Sequence, residues 1–190
     1  HIYIRTGRYH DATLTNFAAS TADAAFLAVC GGTNGMYPLG YVPHNWHFAT
    51  LSAGLMGSRK LATEASDQTL QRADMQQLDA LNFMQHFVVV PMQTQVRFGE
   101  WDAILARTQS PAPQPYVTGI WHFARGMAQV RKGNAAEAQK ELDALQKLAD
   151  DPQLAKLMIG TTNYVGDLLH VGAGVLRGEL LSSQGKHDEA

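Results

Sequence analysis

The sequence predicts an all-α fold, an α-α superhelix in which antiparallel helix pairs stack into a solenoid. Three observations carry this. A glycine-centred pattern occurs five times. Each copy follows a segment of helical character and, except at the last, precedes another. The longer intervening stretches, Gly31–Gly40 and Gln109–Pro115, are rich in glycine and proline, as connections are.

The pattern is a glycine, an aromatic or small residue two places on, and an apolar residue five places on. Its copies start at Gly7, Gly57, Gly99, Gly133 and Gly185, with Ala12, Ala62, Ile104, Ala138 and Ala190 at the fifth place. A residue without a Cβ closes one helix in the left-handed conformation and turns the chain into the next. A small residue five on then lets the second helix approach the first. Gly126 and Gly178, each seven before a hinge, are expected to serve the same approach, with Tyr3 and Trp46 filling the space between paired helices.

First helices are expected over 43–56, 85–98, 116–132 and 164–184, and second helices over 10–30, 58–73, 101–107 and 134–149. Pro43 suits a first turn, Asp151-Pro152 a stop, and Pro91 should kink its helix or delay its start. Gly172, Gly174 and Gly178 read as close helix packing, because no strand precedes them as a dinucleotide loop requires. Residues 1–190 form one repeat domain. Both ends cut a repeat and no polar capping repeat is visible, so a longer array is expected.

Composition narrows the function. The chain is 45% apolar and 17% charged with a net charge of −2, so it offers no electrostatic basis for a nucleic-acid partner. The apolar run Phe87–Met92 is too short for a bilayer, so no membrane partner is expected. A lone cysteine, Cys30, excludes an internal disulfide and a Cys-built zinc site; it suits a cytoplasmic location and reads as a small buried residue at a helix end.

Tyr3, Gly7 and Ala12; Trp46, Gly57 and Ala62; Gly126, Gly133 and Ala138; and Gly178, Gly185 and Ala190 together resemble the tetratricopeptide repeat family over nearly the whole chain. Successive hinges are 50, 42, 34 and 52 residues apart, and only 34 is the family's spacing. Asn16, Ser66 and Thr108 replace the usual second-helix aromatic, with Leu142 nearest to type, so the repeats are degenerate. GRYHDA, PHNWHF and RFGEWDAIL look like segments of a group of large, functionally uncharacterised bacterial proteins of this kind.

Numbering back from each glycine, places 13, 10, 6, 3 and 2 share one helical stripe. The resemblance implies that this stripe lines a concave, partner-binding groove. It carries His1, Ile4 and Arg5; His44, His47, Leu51, Gly54 and Leu55; His86, Val89, Gln93, Val96 and Arg97; Ile120, Phe123, Met127, Val130 and Arg131; and Gly172, Val175, Glu179, Ser182 and Ser183. Four of the eight histidines fall on it, where composition alone places about one.

Three readings compete. The histidines are simply polar residues on a solvated face. Alternatively, they form a recognition groove for a protein, a peptide or a small acidic ligand. His1, His44, His47 and His86 would then act with Arg5, Gln93, Arg97 and Arg131 as polar contacts, while Ile120, Phe123 and Met127 receive an apolar group. Micromolar affinity, about −8 kcal/mol, would be ordinary for such a groove. In the third reading His44 and His47, one turn apart, bind a divalent metal such as zinc with His86 or His1, as in a metal-dependent hydrolase on a helical scaffold. His122, one place off the stripe despite its matching Trp-His-Phe context, reads as a buried, hydrogen-bonded residue.

Overall fold

A computed structural model describes residues 1–32 and 35–190; Thr33 and Asn34 of the expected Gly31–Gly40 connection lie outside the described residues. The described chain is all-α, with helices α1 (Ile2–Arg5), α2 (Tyr9–Cys30), α3 (Val42–Leu55), α4 (Arg59–Gln71), α5 (Gln85–Phe98), α6 (Trp101–Ala106), α7 (Pro115–Arg131), α8 (Ala135–Ala149) and α9 (Val165–Ser183). Boundaries lie within a residue or two of those expected, the ordinary uncertainty of helix ends.

The five hinges share one construction. Gly7, Gly57, Gly99, Gly133 and Gly185 have φ of 75°, 78°, 71°, 77° and 77°. At each, the next residue's N–H donates to the carbonyl five places back: Arg8 to Tyr3, Ser58 to Ala53, Glu100 to Gln95, Asn134 to Gln129 and Lys186 to Leu181, all at 2.8–3.0 Å. This closure satisfies carbonyls that the helix end would otherwise orphan. The fifth-place residue makes the first bond of the second helix, from Ala12, Ala62, Ile104 and Ala138 to the residue after each glycine. All four are buried. The turn and the packing contact are thus one unit of sequence.

Helices α2 to α9 each pack on the preceding and following helix, and α3, α5, α7 and α9 also touch in succession. The two halves of the stack are filled differently. From Ala73 to Leu180 the core is aliphatic and aromatic, with Met84, Val117, Leu145, Leu169 and Leu176 fully buried. Between α2, α3 and α4 the buried residues are small: Ala12, Thr13, Ala49, Ser52, Ala53, Ala62, Ala65, Ser66 and Thr69. Their hydroxyls are satisfied locally, Thr13 donating to Ser52 at 3.0 Å and Ser52 to the Phe48 carbonyl at 2.8 Å. Trp46 fills the wider gap, edge-on to Phe17 at 5.3 Å with the Arg72 guanidinium 5.2 Å from its ring centre.

Several expectations are corrected. Pro91 does not delay the start of α5: the helix begins at Gln85 and includes Pro91 at a buried position, where the ring removes a single backbone bond. The Gly31–Gly40 connection ends in a π-helical turn, Tyr37–Tyr41, and a 3₁₀ turn, Asn82–Met84, leads into α5. Between α8 and α9 a two-residue antiparallel ladder pairs Met158 with Tyr164 and Ile159 with Asn163. The Asn82 amide anchors it, donating to Met158 O at 2.7 Å and accepting from Gly160 N at 3.0 Å. Cys30 is exposed, on the last turn of α2 beside the equally exposed Val29. A Cβ at Gly174 would meet nothing within 4 Å, while one at Gly172 would stand 3.7 Å from Phe123 and 3.8 Å from Leu145.

Gly126 acts between pairs rather than within one. A Cβ there would overlap the Leu176 side chain of α9, and a Cβ at Gly119 would overlap Leu169. Two glycines seven apart on α7 therefore receive two leucines seven apart on α9. Gly126→Ala should destabilise by about 1–3 kcal/mol in urea unfolding, because Leu176 is fully buried and has nowhere to move. Gly174→Ala, in open space within the same interface's outer helix, should instead gain about 0.5–1 kcal/mol from helix propensity. Equal effects at the two sites would contradict the knob-in-hole contact.

Candidate functional site

A cleft of about 520 Å³ opens between α3 and α5 and is floored by Ala62 of α4. Six residues of the glycine-numbered stripe line it: His47, Leu51 and Gly54 from α3, and Gln93, Val96 and Arg97 from α5. Sequence reasoning missed Thr50, Val90, Thr94 and Phe98, which line it too.

The opening has a local cause. Where α7 meets α9, the residue seven before the hinge is Gly126 and its knob, nine before the next hinge, is Leu176. The equivalent residues of α3 and α5 are Thr50 and Val90, and both border the cleft. A branched side chain replaces the hole and a shorter one replaces the knob, so interlocking of the α7–α9 kind is lost. Between α5 and α7 the same two places hold Met92 and Ala124, both buried in the core, so the signal in the sequence is the pair of residues and not the seventh place alone.

Polar chemistry in the cleft is sparse. Thr50 and Thr94 donate to their own helix carbonyls, Trp46 O at 3.0 Å and Val90 O at 2.9 Å. Arg97 lays its aliphatic stem across α3, where a Cβ on Gly54 would stand 3.0 Å from Arg97 Cδ. Among the described residues neither Arg97 nor Gln93 forms a side-chain hydrogen bond, Arg97 has no ion-pair partner, and both are exposed. Among the described residues no carboxylate lines the cleft.

His47 is largely enclosed, 5.9 Å from the Phe87 ring in an edge-on arrangement. Burial, then the neighbouring His86 and His44, push its pKa down to about 4, so the ring is neutral at ordinary pH. His86 is also lowered by burial, and its Nδ1 lies 3.1 Å from the Tyr116 hydroxyl, itself pushed up to about 12 by burial. His44, lowered chiefly by burial, and His1 both stack on Phe48, at 4.4 and 4.2 Å, on the side of α3 towards α1.

The remaining stripe residues are dispersed. Met127 is 6% exposed and belongs to the apolar core, as do Ile120 and Val130, because α9 covers this face of α7. Phe123, packed against Gly172, is partly covered for the same reason. Arg131 is bound to Glu179 at 2.7 Å, and Arg5 stands exposed on α1. The structure therefore corrects the single continuous groove: five stripe segments share a register, but only those of α3 and α5 border a common space.

Among the described residues no three His, Cys, Asp or Glu side chains converge closely enough to share a metal ion. His1 precedes α1, His44 and His47 lie on α3, and His86 on α5, where it is engaged by Tyr116. His122 lies away from the cleft, paired with Glu141 at 2.7 Å while Arg125 binds the same carboxylate at 2.6 Å and the Arg107 carbonyl at 3.0 Å. Burial opposes ionisation of Glu141, but these hydrogen bonds outweigh it and hold the carboxyl below its ordinary value. The cluster ties α7 to α8 and to the end of α6. No helix among the described residues is long and apolar enough to cross a membrane.

Comparison with protein-family models, curated proteins and solved structures finds no match to this chain.

The lowered His47 pKa makes stability pH-dependent. Unfolding returns the ring to a value near 6.5, so between about 4 and 6.5 the unfolded chain binds more protons and stability falls as pH drops through that window. The loss attributable to His47 is about 2–3 kcal/mol by pH 4. Urea melts at pH 7.5 and 4.5 should differ less for His47→Gln than for the wild type; identical differences would place the imidazole in water.

Proposed function

We propose that this chain is an interaction module, a superhelical stack of tetratricopeptide-like hairpins that takes a peptide or small acidic ligand in the cleft between α3 and α5. The observation that carries this reading is Arg97: an exposed guanidinium without an ion-pair partner among the described residues, beside Gln93 and neutral His47, on the rim of a cleft of ligand size. The five identical hinge closures and the succession of helix contacts support the repeat reading. A guanidinium suits a carboxylate because its planar fork can donate two parallel hydrogen bonds. No observation favours a hydrolase centre over binding, since neither a metal-ligand set nor a nucleophile paired with a base borders the cleft.

The test is a titration of isotope-labelled protein with two acidic probes, acetyl-Asp-Glu-Leu-Asp-amide and 4-phenylbutyrate, followed by amide chemical shifts. Changes should concentrate at residues 47–54 and 90–98 for at least one probe. Arg97→Ala should weaken that binding about tenfold, one charge-assisted contact's worth, while Tm stays within a degree or two because Arg97 is exposed. Shifts confined to other surfaces would remove the cleft from consideration.

A further inference from the structure

The surroundings of the cleft constrain its occupant. Towards α7 the stripe closes: Met127 and Val130 are buried, and Arg131 is taken by Glu179. Towards α1, His1 and His44 lie against Phe48, while Leu51 and Leu55 stay exposed. An extended peptide needs a succession of side-chain partners for its backbone N–H and C=O groups, because helical walls offer no open ladder. Here both threonine hydroxyls donate to their own helices, leaving Arg97, Gln93 and His47 as the unengaged side-chain donors among the described residues.

Resting on the interaction-module reading, we infer that the cleft binds a small monocarboxylate with an apolar body, its carboxylate on Arg97 and Gln93 and its body over Leu51, Val90 and Phe98. Each part of the ligand answers a feature of the wall. One cation with no lining carboxylate among the described residues calls for a single negative charge. The exposed Leu51 and the apolar side chains deeper in the cleft call for a hydrocarbon segment rather than a second polar group. Gly54 is a positioning residue: it lets the Arg97 stem lie flat on α3, and a methyl group there would stand 3.0 Å from Cδ and lift the guanidinium off the rim.

The experiment compares 4-phenylbutyrate with its uncharged analogue 4-phenylbutan-1-ol and its cationic analogue 4-phenylbutylamine on the full chain, by calorimetry and amide shifts. The acid should bind at residues 47–54 and 90–98 at least tenfold more tightly than the alcohol, and the amine more weakly than either. Arg97→Met, which keeps the stem and removes the charge, should bring the acid down to the alcohol's affinity without affecting the alcohol. Gly54→Ala should weaken the acid selectively. If alcohol and acid bind alike, or Arg97→Met leaves the acid unchanged, the assignment is overturned. If the acidic peptide shifts cleft resonances and 4-phenylbutyrate does not, the small-ligand assignment falls and the interaction-module reading stands. If neither probe perturbs the cleft, both fall.

Discussion

Everything in this molecule depends on a helix being stopped and reversed at a defined residue. At each hinge a glycine with φ between 71° and 78° lets the following N–H reach back five residues, and that one bond decides where the next helix begins. A side chain at the hinge would strain the left-handed backbone. Because helix period and hinge position are then both set, every residue upstream acquires a face. The register that placed Gly54 beside Arg97, and Gly126 beneath Leu176, is a consequence of that closure.

The hinges were legible because their signal is local: a glycine and a small residue five on are read within six positions. Helix limits followed for the same reason. Features set by non-local packing were not legible. Pro91 does not delay the start of α5, which begins at Gln85 and includes the proline at a buried position. Cys30 has the composition of a core residue and sits exposed on the last turn of α2.

The candidate site was half legible. His47, Gln93 and Arg97 were found from the stripe, because a helical register carries over whenever the hinge is right. Met127 and Arg131 obey the same register but not the same surroundings: the first is covered by α9, and the second is bound by a glutamate 48 residues away. A stripe records direction. Whether that direction ends in solvent, a neighbouring helix or a cavity depends on the volume of side chains in another segment.

The contrast between Thr50 and Gly126 has a consequence for how such a scaffold diversifies. Both stand at one structural address, yet Gly126 seals its seam with a leucine and Thr50 borders an opening. Junctions built on the same hinge thus differ in how far they are filled, with connectivity untouched. Side-chain volume at one junction can vary while the hinges that set the register stay the same, as a row of shelves gains a compartment when one divider is changed.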